Sequence, residues 1–206
     1  MNDYFISDPH FGHKFLAKLR GFSNPAEHDR FLCQKWLEKL PEDQYIRLWI
    51  LGDNYCGGVD AETAALELLQ QFREDVLTQK GSIVELHGLL GNHDLAHPTF
   101  ADGYLRLKNF YLVYNSVQTT AAIKLAGRDV MLNHFPYEGN RYDKPWMDQY
   151  RLRDLGLPLV HGHTHATELV SYTRKKTLQL CVNVEACPDF APLSRLELEQ
   201  LVTRFA

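Results

Sequence analysis

Residues 83–94 read IVELHGLLGNHD, an apolar run that ends in a glycine and three polar residues. The run predicts a buried strand, because it is short, rich in aliphatic side chains and closed by a glycine. The amide oxygen of Asn92 is a hard, neutral ligand for a cation. His93 is then left to act as an acid, and Asp94 can orient its ring and raise its pKa. An ordinary turn closed by an Asx hydrogen bond is the alternative.

The same arrangement, a strand-like run followed by polar ligand-type residues, occurs at four other places. These are Asp8-Pro9-His10 after residues 4–6, Gly52-Asp53 after 45–51, Asn133-His134 after 130–132, and Gly162-His163-Thr164-His165 after 157–161. In layered α/β proteins the carboxyl ends of the strands point into the crevice where ligands bind, so we expect these loops to converge. Two aspartates, one asparagine and four histidines would then meet, enough to hold two divalent cations in one cleft.

Spacing within the loops predicts how the side chains reach a cation. Asp8 and His10 are two residues apart, and in extended backbone they point the same way. The proline between them disfavours the helical conformation of Asp8 and so helps to keep it extended. His163 and His165 repeat this geometry, although an H-x-H pair can also be structural. Asp53 can bridge two cations with its two oxygens, or it can be a common aspartate of a β–α turn.

Helix and strand signals alternate in the first half of the chain. A helix is expected to begin at Pro25 with Asn24 as its N-cap, and a longer helix is expected from Asp60 to Gly81. Further strands are predicted over residues 110–116, 121–125, 168–172, 178–184 and 195–198. The order is βαβαβ first and mostly β afterwards. It predicts an α/β (α+β) fold in which two sheets share one core with helices outside, as a single domain over residues 1–206.

Composition and charge exclude several classes of protein. With 45% hydrophobic and 23% charged residues the chain is ordinary for a globular protein, and its formal net charge of −4 gives no basic field for a long nucleic acid. No apolar run approaches the roughly 18 residues of a membrane span, and no secretory signal precedes the first strand. The four cysteines form no C-x-x-C pair, so neither a thiolate zinc site nor a disulfide framework is expected. We expect a soluble, cytoplasmic protein that acts on a small molecule; its oligomeric state stays open.

Taken together, the five blocks resemble the signature blocks of the calcineurin-like metallophosphoesterase superfamily, in the same order and over residues 8–165. The short length and the opening Asp-Pro-His-Phe-Gly-His are similar to a small bacterial and phage branch of that superfamily. The resemblance implies a four-layer βαββα-type double sheet sandwich. Asn54-Tyr55-Cys56 after Asp53 departs from the corresponding block of the protein Ser/Thr phosphatases, which disfavours a protein-phosphatase activity.

The resemblance also implies a role for each residue of the blocks. It implies a first divalent cation bound by Asp8, His10, Asp53 and His165, and a second bound by Asp53, Asn92, His134 and His163. Asp53 would be the bridge between them. His93 would face the leaving group, with support from Asp94. Mn, Fe, Zn and Ni all suit nitrogen and oxygen donors, so the metal is left open.

The implied activity is hydrolysis of a small phosphoester by in-line attack of a hydroxide that bridges the two cations. A nucleotide-type phosphodiester is the favoured substrate class. His13 and Arg20 are candidates for contacting the substrate phosphate, as are Arg141 and Arg151, although solvated surface charges also fit these side chains. Three alternatives stay open. They are a phosphomonoesterase or nucleotidase using the same site, a binuclear hydrolase of another class such as an amidohydrolase, and a non-catalytic metal-binding scaffold of the same fold.

Overall fold

The computed structural model describes residues 2–139 and 147–206, in which ten strands and five α-helices are formed. In chain order these are β1 (Asn2–Ile6), α1 (Lys14–Leu19), α2 (Pro25–Lys39), β2 (Tyr45–Ile50), α3 (Val59–Lys80), β3 (Ile83–Leu89), α4 (Leu107–Phe110), β4 (Ser116–Gln118), β5 (Thr120–Leu125), β6 (Arg128–Asn133), β7 (Leu159–His161), β8 (Val170–Tyr172), β9 (Leu178–Cys181), β10 (Leu193–Ser194) and α5 (Arg195–Phe205).

The strands form two five-stranded sheets. The first has the order β10-β1-β2-β3-β4; β1 to β4 are parallel, and β10 runs antiparallel at the edge. The second has the order β5-β6-β7-β9-β8, with a parallel centre and antiparallel edges. Trp36 of α2 and Phe72 of α3 are buried and meet edge to face with centroids 5.8 Å apart, while α5 packs against both β1 and β5. The predicted α/β architecture of two sheets around one core is confirmed.

The helices begin and end where the sequence supplies caps. The Asn24 side chain accepts a hydrogen bond from the backbone N–H of Glu27, which starts α2 as predicted. Gly81 ends α3 in the left-handed conformation, with φ 65°. The N-cap of α3 is Gly58 rather than the predicted Asp60, which lies in the first turn, where an acidic side chain favours the helix dipole. Within residues 2–139 and 147–206, no helix combines the length and apolarity needed to cross a membrane.

The strand predicted over residues 110–116 is wrong for most of its length. Residue 110 ends α4, turns follow, and β4 begins only at residue 116. Phe110, Val113 and Tyr114 are buried, whereas Leu112 is 80% exposed, which is the spacing of a helical turn. Because every position from 110 to 114 is apolar, this period is hidden in the sequence.

The strand predicted over residues 195–198 is also wrong, because α5 begins there. The Ser194 side chain accepts from the backbone N–H of Glu197, and the Glu197 carboxylate accepts from the backbone N–H of Ser194. This reciprocal pair is a capping box, and its S-x-x-E pattern is readable in the sequence. This helix signal outweighs the short strand-like alternation of charged and apolar residues over 195–198.

The two sheets meet at the carboxyl ends of their central strands. Ser7, which follows β1, donates its backbone N–H to the carbonyl of Val182 at 2.8 Å and accepts from the N–H of Val184 at 3.0 Å. It thereby forms a parallel bridge with Asn183, beyond the end of β9. The Ser7 hydroxyl donates to the carbonyl of Leu51, beyond β2, at 2.7 Å. The loops after β1, β2 and β9 therefore lie side by side.

Candidate metal centre

Two groups of cation-ligand side chains lie at this junction of the sheets. We call them the first cluster (Asp8, His10, His165) and the second cluster (Asp53, His134, His163). Within each cluster, one ligand atom of every residue lies within 4.8 Å of the others. The Asp53 Oδ2 atom lies 3.4 Å from His134 Nε2 in its own cluster and 3.6 Å from His10 Nε2 in the first. Asp53 therefore occupies the position of a bridge between the two clusters.

Each of the two aspartates uses one oxygen for the protein and leaves the other toward the clusters. Asp8 Oδ2 accepts a hydrogen bond from the backbone N–H of His163 at 2.9 Å. Asp53 Oδ1 accepts one from the backbone N–H of His93 at 2.8 Å. These bonds restrain both carboxylates, so Asp8 Oδ1 and Asp53 Oδ2 are left facing the clusters.

Several ligand atoms are buried without a hydrogen-bond partner among the described residues. They are Asp8 Oδ1, both ring nitrogens of His10, Asn92 Oδ1 and His134 Nε2. The other ring nitrogen of His134, Nδ1, lies 2.7 Å from the carbonyl of Leu51 and donates to it, so in the neutral ring the lone pair is on Nε2. A buried unpaired polar atom costs about 1–3 kcal/mol, and several at one point indicate a missing common partner. Nitrogen and oxygen donors converging in this way fit two divalent cations.

Charge within the clusters is balanced by mixing carboxylates and imidazoles. Burial alone would raise the pKa of Asp53, but the neighbouring His134 and His10 outweigh it and hold that pKa well below its ordinary value. Burial would lower the pKa of His134, but the carboxylates of Asp53 and Asp8 raise it to about 9. Burial, together with the nearby His134, lowers the pKa of His163 to about 2, so His163 is neutral and able to bind a cation.

The ligand loops have an unusual backbone that corrects one prediction. Asp8, His10, Asp53, His163 and His165 all have φ between 50° and 71°, in the left-handed region. The segments predicted to be extended are therefore tightly turned, and their side chains converge through these turns rather than through strand alternation. Each such residue costs on the order of 1–2 kcal/mol, and this strain is characteristic of functional sites.

Asp94 has a different contact from the one predicted. Its buried carboxylate accepts hydrogen bonds from the backbone N–H groups of Asp53, Asn54 and Gly91 at 2.8–3.0 Å, and from the Asn54 side chain at 3.1 Å. Among the described hydrogen bonds of Asp94, none involves the His93 ring. The prediction that Asp94 orients this ring is corrected: Asp94 builds the loop that carries Asp53.

His93 lies at the exposed side of the centre, which we call the mouth. Its side chain is 42% exposed, with Nε2 4.0 Å from Asp53 Oδ2. Burial lowers the pKa of His93, but the contact with Cys56 and the charges of Asp53 and Asp94 outweigh this and raise it to about 9. His93 therefore carries a proton at neutral pH, as predicted from sequence, and Asp94 contributes by its charge. Cys56 follows Asp53 by three residues, a spacing that allows a place near the cleft but does not distinguish it from an apolar filler residue.

His13 also lies at the mouth, with its ring centroid 5.6 Å from that of His10. Burial and the nearby His93 lower its pKa, so it is neutral. Its Nδ1 atom has no hydrogen-bond partner among the described residues. The position is compatible with the predicted contact to substrate.

The arginine predictions are largely corrected. The Arg20 side chain is only 2% exposed and donates to Glu185 and to the carbonyls of Asp8 and Pro9, so it lies behind the centre rather than facing substrate. Arg151 is 8% exposed at its side chain and donates to the carbonyl of Pro136. Arg141 lies outside the described residues.

A two-sheet α/β sandwich with two adjoining clusters of His and Asp at its strand ends defines a candidate binuclear metalloprotein. The sequence model of the calcineurin-like phosphoesterase family matches residues 4–167. The chain belongs to this family. That membership confirms the resemblance found in the five sequence blocks.

Two phage proteins and one solved structure are similar to the chain over most of its length. The chain is 32% identical over 200 residues to the Gene 66 protein of Mycobacterium phage D29, covering 95% of this chain and 94% of the relative. It is 35% identical over 182 residues to the Gene 66 protein of Mycobacterium phage L5, covering 82% and 80%. A protein of unknown function from Aquifex aeolicus has a similar fold, with TM-score 0.65, 19% identity, and coverage of 97% and 98%.

Proposed function

We propose that the chain is a binuclear metal-dependent phosphodiesterase that acts on small nucleotide-type phosphodiesters in the cytoplasm. The observation that carries the proposal is the Asp53 Oδ2 atom, which lies 3.4 Å from a ring nitrogen of one cluster and 3.6 Å from a ring nitrogen of the other. One cation would be held by Asp8, His10, Asp53 and His165, and the other by Asp53, Asn92, His134 and His163. Two bound divalent cations activate water at neutral pH and offset charge on a phosphoryl group.

The protein's own groups at the mouth supply the remaining chemistry. His93 carries a proton at neutral pH, because its pKa is raised to about 9. Its exposed ring is placed to donate that proton to the departing oxygen of the ester. His13 is neutral and lies beside His10, where it is placed to hydrogen-bond a phosphate oxygen.

The described residues around the clusters favour a diester over a monoester. A monoester carries up to two negative charges, which enzymes commonly bind with a bidentate arginine. Arg20 and Arg151 are both occupied by protein partners, and His13 is neutral. A diester carries a single charge and needs no such clamp. A monoesterase or nucleotidase is the second candidate, because hydrolysis of a monoester would use the same two cation sites as hydrolysis of a diester.

The test is a substrate panel on protein that has been stripped with chelator and reloaded separately with Mn, Fe, Zn or Ni. The substrates are a bis-aryl phosphate, an aryl monophosphate, cyclic nucleotides and an aryl amide. The proposal expects turnover of the diesters above that of the monoester and none of the amide. Faster monoester turnover would support the second candidate. A sample that holds two cations and is inert on every phosphoester would make the chain a metal-binding scaffold.

A further inference from the structure

The first cluster has a partly buried charged support that has no counterpart at the second cluster among residues 2–139 and 147–206. Glu185, which follows β9, lies directly behind His165. We propose that Glu185 is a positioning residue for the first cation. Binding of the first cation should depend on Glu185, whereas binding of the second should not. The inference rests on the proposed function, since it presupposes that two cations bind.

The contact between Glu185 and His165 decides which ring nitrogen faces the cluster. His165 Nδ1 lies 2.9 Å from Glu185 Oε1. A carboxylate only accepts, so Nδ1 carries the proton and donates it. The lone pair is then on Nε2, which lies 3.7 Å from Asp8 Oδ1 in the first cluster. A carboxylate behind a ligating histidine fixes the tautomer and ring orientation and increases the basicity of the ligand.

Glu185 is itself held by two neighbours. Arg20 donates Nε and Nη2 to Glu185 Oε1, at 3.0 and 2.8 Å. Asn183 Nδ2 donates to the other oxygen, Oε2, at 2.8 Å. Both carboxylate oxygens are thus occupied, and the side chain has little freedom to rotate.

Arg20 connects this support to the opposite side of the first cluster. Its Nη2 and Nη1 atoms donate to the backbone carbonyls of Asp8 and Pro9, each at 2.8 Å. One guanidinium therefore ties the loop that carries Asp8 to the glutamate that orients His165. Two ligands that are far apart in sequence are fixed relative to one another by a single side chain.

The hydrogen bonds continue behind Arg20 to His28 and Asp29. The partners of His28 show which of its ring nitrogens donates and which accepts. His28 Nε2 lies 2.9 Å from Arg20 Nη1 and must accept, since a guanidinium only donates. His28 Nδ1 therefore carries the proton and donates to Asp29 Oδ1 at 2.7 Å. Asp29 Oδ2 accepts from the backbone N–H of Gly12 at 2.9 Å. The chain of hydrogen bonds thus returns to the loop that contains His10.

The second cluster is supported differently. His134 Nδ1 donates to a neutral backbone carbonyl, that of Leu51, at 2.7 Å. The charge of Glu185 acts on the first cluster through His165, and in the part of the chain that the structure describes no carboxylate hydrogen-bonds the Nδ1 atom of His134. Loss of Glu185 should therefore weaken binding of the first cation and leave binding of the second unchanged.

The experiment measures cation binding rather than turnover. Chelator-stripped full-length protein is dialysed against graded free Mn²⁺, and bound Mn²⁺ per chain and its electron paramagnetic resonance spectrum are recorded. The variants are Glu185→Gln, which keeps the shape, and Glu185→Ala. Glu199→Gln is the matched control, because it breaks another Glu–Arg pair, with Arg195, on α5. Circular dichroism establishes that each variant is folded.

Wild type and Glu199→Gln should bind two Mn²⁺ with the spectrum of a coupled pair. The Glu185 variants should lose about 10–100-fold in affinity at one site only, so that intermediate Mn²⁺ gives one ion with an isolated spectrum. His163→Ala removes a residue of the second cluster, and in that background Glu185→Gln should weaken binding of the ion that remains at the first. Asp8→Ala removes a residue of the first cluster, and in that background Glu185→Gln should leave binding of the remaining ion unchanged. Unchanged or equally weakened affinities at both sites in folded Glu185→Gln would overturn the inference. A wild type that binds none of Mn²⁺, Fe²⁺, Zn²⁺ and Ni²⁺ in the same dialysis would instead refute the proposed function.

Discussion

A methyl group at Gly91 should disable the centre without changing any ligand. A Cβ built on Gly91 would lie 2.2 Å from Asp53 Oδ1 and 2.5 Å from the Asp53 backbone nitrogen, whereas ordinary contacts begin at 3.4 Å. The two side-chain atoms must separate by about 1.2 Å, and because a backbone atom is also in the way, a simple rotamer change cannot relieve the clash. Asp53 Oδ1 is the oxygen that accepts from the His93 N–H, so this hydrogen bond is strained at the same time.

The expected loss follows from that displacement. A misplacement of about 1 Å at a reacting centre costs on the order of 100-fold in rate, which corresponds to about 2.7 kcal/mol. Overpacking should lower the free energy of unfolding by about 1–3 kcal/mol. The assay is kcat/KM on a bis-aryl phosphate together with bound metal per chain and Tm.

The control for Gly91→Ala is Gly58→Ala. Nothing lies within 4 Å of a Cβ at Gly58, and its φ is −88°, so the same chemical change meets open space there. Activity of Gly58→Ala should stay within about twofold of wild type, since its effect is confined to the cap of α3. If Gly91→Ala kept wild-type activity and both cations, the close approach of the two loops would not hold Asp53 in position, and the reasoning would fail.

Four further outcomes are expected. Asp53→Ala should abolish binding of both cations and activity together, because its Oδ2 atom serves both clusters; retention of two cations on metal analysis would contradict the bridge. His93→Ala should keep both cations but slow turnover, most for esters with poor leaving groups, and loss of metal would show that its role is misassigned. The apparent affinity of the second site for its cation should rise with pH, by up to about tenfold per pH unit below pH 9, because the pKa of His134 is raised to about 9 in the metal-free protein and His134 must lose a proton to bind. Titration calorimetry at several pH values checks this, and an affinity that does not change with pH would contradict it. Ser194→Ala should lower the free energy of unfolding by about 1 kcal/mol in chemical denaturation, because the capping box of α5 is lost, with activity as the unaffected reference.

The candidate ligand residues could be found from sequence patterns, because they directly follow strands that are themselves recognisable in the sequence. Apolar runs that end in a glycine and a polar residue predict strand ends, and parallel strands bring those ends to one edge. The loops after β1, β2, β3, β6 and β7 converge for this reason. The convergence needed no knowledge of the exact backbone.

The supporting contacts were not predictable in the same way. Glu185 is a single glutamate after β9, with no motif to distinguish it from an exposed one. Arg20 looks like a solvated helix-end charge until the fold places it against Asp8 and Pro9. The left-handed turns at these residues were also missed: Asp and His are enriched at positive φ, but most of them adopt other conformations, so their presence alone did not predict the turns.

Local signals decided the outcome for the incorrectly assigned segments. The capping box at Ser194 was present and should have outweighed the short alternation of charged and apolar residues over 195–198. The turn after α4 carried no comparable signal, since its uninterrupted apolar residues fit a helix and a strand equally. Capping patterns are therefore more informative than composition in short segments.

The origin of the ligands in both sheets has a consequence for how the chain can be divided. Residues up to β4 supply Asp8, His10, Asp53 and Asn92, and the later residues supply His134, His163 and His165. Neither portion carries all the proposed ligands of either cation, so bound cations would hold the two portions together. Splitting the polypeptide between β4 and β5 should yield fragments that bind little metal separately, and added divalent ions should promote their reassembly.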